Sequence, residues 1–321
     1  MMLKGVSLRG LEVFEALAAT GSVAGASQAT GLSLPAVSQQ MRNLETALGV
    51  ELVDHARRPM VLTPAGRSFL TRTRAVLGQL RLAQDELSVM ELGHLPELSL
   101  GMIDDFDNDL TPRLVTMLAD SMAGCRFRLI TAPSHEIKAE VVAQRLHVGV
   151  AGSSGEVMDG VVEHPLVLEP YILVCGRGKA AELGGAEAVM HALPFLRYDR
   201  AQLIGRQVEA QLKRLGLDFP DRFEIGSHLS LMTLVARGAG WTLTTPMGYM
   251  RAVRQHGALE AHPLPFAPFA RTVSLFAGAD WGGTVPRDMA RTLRHLIGET
   301  VIAPALEVLP WLDGELRILD T

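Results

Sequence analysis

The sequence predicts an α/β chain in three parts: a helical head ending in a short basic hairpin, a long linking helix, and a two-lobed domain of alternating strands and helices. Three observations predict it. Within residues 22–66, two short helices separated by a glycine turn precede a hairpin bearing Arg57 and Arg58. Residues 63–92 repeat apolar side chains at alternating four- and three-residue steps. Beyond Pro96, short apolar runs alternate with helical patterns to about residue 300. The expected boundaries are 1–62, 63–92 and 97–300, with 301–321 an appended tail to which the sequence assigns no role.

In the head, Ser22 suits an N-cap, because its hydroxyl can accept from an amide one turn on. Val23, Ala26 and Ala29 recur at helical spacing and are expected inward. Gly31 suits the left-handed position that stops a helix. Ser33 offers the next N-cap, and Pro35 falls early in the second helix, where its missing N–H costs little. Val37, Met41, Leu44 and Leu48 make a buried stripe. The other face shows Ala36, Ser38, Gln39, Arg42 and Asn43: small groups, amides and a guanidinium, the chemistry that reads base edges and phosphates. Helix, turn, helix and hairpin together make a winged helix-turn-helix, which places its second helix in the major groove of duplex DNA. The DNA-contacting candidates are Ser33, Pro35, Ala36, Ser38, Gln39, Arg42 and the wing pair Arg57 and Arg58; the plainer reading of that pair is a solvated hairpin tip.

The linking helix carries Phe69, Val76, Ala83 and Met90 at seven-residue steps, with Thr73, Leu80 and Leu87 between them. That is a coiled-coil seam, and a self-associating chain is expected. The alternative is an amphipathic helix packed on its own head. Gly93-His94-Leu95-Pro96 ends it.

Expected strands of the third part are 98–103, 126–131, 148–151, 171–175, 222–225 and 241–244; expected helices are 110–122, 134–145, 203–215 and 229–237. Such alternation predicts parallel sheets with helices on both faces. Prolines mark two crossover strands, near 164–170 and 262–268. Lobe one is then 97–164 with 269–300, and lobe two 169–263. Ligands sit at carboxyl ends of strands in such sheets. The candidates there are Asp104, Asp105, Thr131, Ser134, Tyr198, Ser227 and Thr245, with Ser134 and His135 expected to cap a helix. Acidic residues crowd 104–109, yet a calcium loop fails, since Leu110 and Thr116 stand where a glycine and a glutamate are required. Helix capping by Asp or Asn before Leu110 is the plain reading. The sharper one is that Asp104 or Asp105 selects a cationic effector, with Phe106, Tyr198 or Trp241 adding cation–π contacts.

Residues 1–74 hold eight Lys or Arg against five Asp or Glu, net +3; with −5 for the whole chain, −8 is left for the rest. A basic head on an acidic body localises attraction to DNA at one end. There is no apolar run of about eighteen residues and no signal-like apolar segment at the start, so a cytoplasmic protein without membrane partners is expected. Cys125 and Cys175, fifty residues apart, fit a reducing compartment. No metal-type spacing, phosphate loop or nucleophile elbow is visible, so neither an enzyme nor a metal or cofactor is expected. A transport solute-binding protein would not need residues 22–66; a DNA-binding protein that senses no ligand remains open.

Four blocks carry a resemblance: Pro35-Ala36-Val37-Ser38-Gln39-Gln40 with Leu44-Glu45, Leu48-Gly49, and Leu62-Thr63-Pro64-Ala65-Gly66. On these, the first ninety or so residues resemble the LysR-type transcriptional regulators. Val53 and His55 depart from the Phe and Arg usual there, which puts a phosphate contact at the wing base in doubt. Leu234 to Gly240 followed by Trp241 to Pro246 is similar to a helix-turn-strand of the family. The resemblance implies an effector domain like a periplasmic binding protein, a small-molecule effector between the lobes, and a dimer or tetramer on an interrupted palindrome that controls RNA polymerase recruitment.

Overall fold

The computed structural model describes residues 5–57, 59–89, 96–122, 124–279 and 285–319, with no side chains for 81–89 and 121. The chain divides into two units, Met1–Gln84 and Asp85–Thr321.

The first unit contains α1 (Leu8–Thr20), α2 (Val23–Thr30), α3 (Leu34–Leu48), β1 (Val53–Asp54), β2 (Val61–Leu62) and the start of α4 (Pro64–Val89). Local chemistry sets the boundaries. Ser7, Ser22 and Ser33 cap α1, α2 and α3 through their hydroxyls, and Gly21, Gly31 and Gly49 end them at φ of 64°, 67° and 68°. Phe14, Leu17, Ala26, Val37, Met41, Leu44, Leu52, Leu70 and Leu77 fill the core, with Leu48 and Val23 partly buried against it. Ala29, expected inward, is exposed; Ala26 and Val23 are the residues of α2 that meet the core. Thr63 accepts from the Gly66 amide at 2.9 Å and donates to the Glu51 carbonyl at 2.8 Å. A Cβ on Gly66 would meet the Leu52 carbonyl oxygen at 2.0 Å, so only glycine lets α4 pass there.

On α4 the expected seam is divided. Thr73 is buried and Phe69 packs against the core beside Phe14, so these face their own head. Val76 and Leu80 are exposed, at 47% and 43%. Met90 lies outside the described residues, and the side chains of Ala83 and Leu87 are not described.

The second unit continues with β3 (Glu97–Met102), α5 (Leu110–Ser121), β4 (Arg126–Thr131), α6 (Ser134–Val142), β5 (Val148–Gly152) and β6 (Val161–Pro170). There follow β7 (Ile172–Gly176), α7 (Lys179–Leu183), α8 (Ala186–Ala192), β8 (Leu196–Tyr198), α9 (Leu203–Arg214), β9 (Phe223–Ile225) and α10 (His228–Ala236). The last elements are β10 (Thr242–Thr244), α11 (Pro246–Arg251), β11 (Leu259–His262), β12 (Ala270–Gly278), α12 (Val285–Ile297), α13 (Ala303–Val308) and β13 (Arg317–Ile318). Lobe one is built on a six-stranded sheet in the order β13-β6-β12-β5-β3-β4. Lobe two holds β10-β7-β11 and the pair β8-β9.

The sheets are mixed rather than parallel. β3 runs parallel to β4 and β5, but β12 is antiparallel to both β5 and β6, and β10 and β11 are antiparallel to β7. The second crossover strand is β12 and not 262–268. Pro263, Pro265 and Pro268 carry no N–H and leave that stretch irregular. β6 and β12 pair along their full length, from Val161 opposite Gly278 to Pro170 opposite Ala270. The tail of unassigned role belongs to lobe one: β13 adds an edge to β6, and Ala305, Leu309, Leu312 and Leu316 are buried. No described helix is long and apolar enough to cross a membrane.

Candidate functional site

The outer face of α3 is built by its buried one. Val37, Met41 and Leu44 point into the core, which leaves Gln39, Arg42 and Asn43 exposed and Ala36 and Ser38 half-buried. Gln39 donates to Asn43 at 2.8 Å and accepts from Arg42 at 3.0 Å. This chain of amides and guanidinium is held ready on one face, and each member can exchange its partner for a base edge or phosphate. Ser33 and Pro35 are start signals of the helix rather than part of that chain.

Behind α3, Glu45 is 9% exposed and fastens the wing. Its Oε1 accepts from the Leu52 and Val53 amides at 2.8 and 3.3 Å, and its Oε2 lies 2.8 Å from His55 Nε2. His55 is thus directed at Glu45, which gives the departure at this position a structural use. Arg57 is 70% exposed and 3.2 Å from Asp54. Arg58 lies outside the described residues.

In the second unit, a cavity of about 240 Å³ opens between the lobes at the carboxyl ends of β3, β4 and β8. Its wall combines Asp104, Asp105, Arg271, Tyr198, His228, Thr131, Ser134 and Gln202 with apolar Ile103, Pro133, Leu203 and Ile204. Its electrostatics centre on Arg271, which is 7% exposed and sits on β12 opposite Glu169 of β6. Arg271 Nε donates to Glu169 at 2.8 Å, and Nη2 donates to Asp105 at 2.7 Å and to Thr245 at 3.3 Å; none of these bonds uses Nη1. Glu169 also accepts from the Met247 amide at 2.7 Å. Burial alone would raise Asp105, but the cationic neighbours, Arg271 above all and Arg251, outweigh it and hold the carboxyl below its ordinary value. Glu169, wholly buried and beside Asp105, is pushed up, with Arg271 offsetting only part. Asp104 bonds Arg251 of α11; burial and Asp105 push its carboxyl up against that cation.

A second polar string runs into lobe two. His228 Nε2 lies 2.7 Å from the Gly248 carbonyl, which can only accept, so this nitrogen carries the proton. Burial holds the imidazole below its ordinary pKa, so Nδ1 is unprotonated and accepts from Tyr198 at 2.6 Å. The Tyr198 oxygen then accepts from Thr244 at 2.7 Å. The string fixes Tyr198 in the cavity wall.

The comparisons match this architecture. Residues 8–67 match the bacterial regulatory helix-turn-helix proteins of the lysR family, and residues 91–280 match the LysR substrate binding domain. The chain belongs to the LysR family. It is a DNA-binding transcriptional regulator with an effector-binding domain. This LysR-type regulator is 26% identical over 285 residues to the HTH-type transcriptional regulator TfdS of Cupriavidus pinatubonensis, covering 88% of this chain and 90% of that one. It is 27% identical over 251 residues to the DNA-binding transcriptional dual regulator OxyR of Escherichia coli, covering 74% and 78%. Among solved structures, a hydrogen-peroxide-bound mutant of Corynebacterium glutamicum OxyR is similar in fold, with a TM-score of 0.57 at 19% identity over 94% of this chain and 95% of that one.

Neither cysteine has the lowered pKa of a reactive thiolate. A thiolate is the reactive form, and burial pushes the Cys175 thiol up to about 12, with Glu260 adding to the rise. Burial raises Cys125 as well.

Of the cleft candidates read from the sequence, the cavity wall brings together Asp104, Asp105, Thr131, Ser134 and Tyr198. Ser227 and Thr245 are instead helix caps, accepting from the Ser230 and Gly248 amides. Ser134 caps nothing: its hydroxyl accepts from Gly152 at 3.0 Å, and the cap position of α6 falls on Pro133. Asp109 stands at the cap position of α5, as expected, though its side chain makes no cap bond; Asp104, Asp105 and Asp107 are engaged instead by Arg251, Arg271 and Thr131. Nor do Asp104 and Asp105 stand as two free carboxylates, since each has its own arginine. Of the aromatic residues expected beside them, Phe106 and Trp241 are buried in the lobes, and neither lines the cavity. Arg271 and Gln202 are the site residues that the sequence does not point to.

Proposed function

We propose that this regulator binds a small amphoteric molecule, one that carries both an ammonium and a carboxylate, in the cleft between its lobes. The observation that supports it most is the composition of the cavity wall. Asp104, its side chain 47% exposed, offers a carboxylate to a cationic group, which retains part of the cationic expectation. Arg271 Nη1 and the amino end of α6 offer donors to an acidic group. Leu203 and Ile204 supply apolar contact. A pure cation would meet Arg251 and Arg271; a pure anion would meet Asp104 and Asp105.

The regulator acts in the cytoplasm, as a dimer or tetramer whose winged heads dock α3 on an interrupted palindrome. Ligand binding alters lobe closure, the disposition of the heads, and RNA polymerase recruitment. Coupling of this kind is reciprocal, so operator DNA biases ligand affinity by the same factor. It works by binding rather than catalysis, as membership of a regulator family supports.

The test is a thermal-shift and calorimetric comparison of size-matched amines, carboxylic acids and amino acids. Amino acids are expected to bind tightest, with about 2.7 kcal/mol of stabilisation at ~100 Kd. Asp104→Asn should remove their advantage over the acids. A carboxylic acid without a cationic group that binds wild type and Asp104→Asn equally, and better than any amino acid, overturns the ligand assignment.

A further inference from the structure

Lobe two holds a second cluster that neither the cleft nor the DNA-reading surface uses. Cys175 of β7 and Glu260 of β11 are direct partners across the antiparallel pair, and His262 lies two residues further along β11. The Cys175 sulfur is 3.4 Å from Glu260 Oε1, and His262 Nε2 is 3.3 Å from the same oxygen. All three ligand atoms lie within 4.8 Å of one another. None of the three residues lines the cleft.

Two features separate this cluster from an ordinary polar contact. His262 Nε2 is buried, and its 3.3 Å contact with Glu260 does not meet hydrogen-bond geometry, which leaves the polar atom poorly satisfied. Glu260 is oriented by backbone: Oε2 accepts from Gly178 at 2.8 Å and Oε1 from Ala180 at 2.9 Å. Amides that fix a carboxylate in this way serve as the outer support of a metal ligand. Tetrahedral coordination, with a sulfur at about 2.3 Å and nitrogen or oxygen at about 2.0–2.2 Å, sets ligand–ligand edges of about 3.3–3.6 Å. Two edges already have that length. The third, at most 4.8 Å, needs to shorten by up to about 1.2 Å, within reach of a side-chain rotation of His262, whose side chain is 30% exposed.

We propose that Cys175, Glu260 and His262 form a site for one thiophilic divalent cation, zinc by its preference for sulfur, nitrogen and oxygen donors in a tetrahedron. The cation displaces the Cys175 proton to solvent and gives His262 Nε2 a well-aligned partner. A water completes the fourth position. The site joins β7 to β11, the strand from which the chain returns to lobe one, and so supplies lobe two with a metal input separate from the cleft.

The test uses full-length, reduced, metal-stripped protein titrated with cobalt(II) and followed by absorption, then displaced with zinc(II). One equivalent of cobalt is expected to give a thiolate charge-transfer band and the intense visible bands of four-coordinate cobalt, both bleached by zinc. Cys175→Ser should abolish the charge-transfer band. His262→Gln, a partly exposed change that preserves folding by circular dichroism, should weaken binding about tenfold or more. Absence of a saturable single equivalent in wild type overturns the site. So does cobalt binding that His262→Gln leaves unchanged.

Discussion

Arg271→Met tests the electrostatic centre of the cleft. The substitution keeps a long apolar side chain but removes the cation shared by Asp105 and Glu169, whose side chains are 11% and 0% exposed. Breaking a buried pair by removing one partner typically costs about 3–5 kcal/mol, because the remaining charge is left uncompensated. Here two carboxylates lose one partner, so the upper end of that range is expected at pH 8. The pH dependence has a defined sign. Arg271 is the largest influence opposing burial at both carboxyls, so without it Asp105 joins Glu169 above the ordinary value of about 4. A carboxyl whose folded pKa exceeds its unfolded one loses stability as pH rises from the unfolded value through the folded one. The variant should therefore be closest to wild type near pH 5 and furthest from it at pH 8, each tenfold rise in proton affinity being worth about 1.4 kcal/mol. Urea unfolding of the effector domain at pH 5, 6.5 and 8 measures this, and adding Glu169→Gln to the variant should restore part of the loss at pH 8. Equal losses at pH 5 and pH 8, or a loss below about 1 kcal/mol throughout, would refute the reasoning.

On the outer face of α3, Gln39→Ala is expected to relax base preference at one operator position by about 1–3 kcal/mol, as read by binding to a set of single-base operator variants. Arg42→Ala should weaken binding to most sequences and reduce the slope of log affinity against log salt by about 1; an unchanged slope would remove Arg42 from the phosphate contacts. Leu80→Glu places a charge on the exposed apolar stripe of α4. With two symmetry-related leucines lost, the dimer dissociation constant should rise about a hundredfold or more in sedimentation experiments, and an unaltered association state would place the interface elsewhere.

What the sequence makes legible is local. Ser22, Ser33, Gly31 and Pro35 act within a few residues of themselves, and each does in the structure what its chemistry requires. Helix α1 carries the same signals, with Ser7 as its cap and Gly21 as its stop, but lies ahead of the motif that draws the eye. Periodicity is less decisive, because it finds a stripe without naming what covers it. Thr73 and Val76 share one predicted seam on α4, yet the first is buried in the head and the second is exposed. Hydroxyl residues at strand ends are ambiguous for a similar reason: Thr245 and Ser227 satisfy backbone amides, whereas Thr131 lines the cavity. Pairings across the chain are not legible at all. Arg271 lies 166 residues from Asp105 and 102 from Glu169, and Cys175 lies 85 residues from Glu260. Only the antiparallel return of β12 and β11 brings them together.

On the proposed reading, charge and lobe closure form one equilibrium. Thr245 and Arg251 stand at the two ends of α11, which follows β10 of lobe two and packs against β6, α13 and the turn at 104–106. The Arg271–Thr245 and Arg251–Asp104 contacts therefore tie the α11 segment to the residues after β3 and on β12. A ligand shifts closure only by the difference in its affinity for the open and closed forms. On the proposed reading, an ammonium that engages Asp104 competes with Arg251 for one carboxylate, so the ligand replaces the hold of Asp104 on α11 with a contact it makes itself. Its carboxylate end, held by lobe one at the amino end of α6, does not make that exchange. The cationic half of the ligand thus controls the lobes and the acidic half contributes affinity. An acid of equal size can occupy the cleft while leaving Arg251 on Asp104, and it would bind without changing the regulator's state.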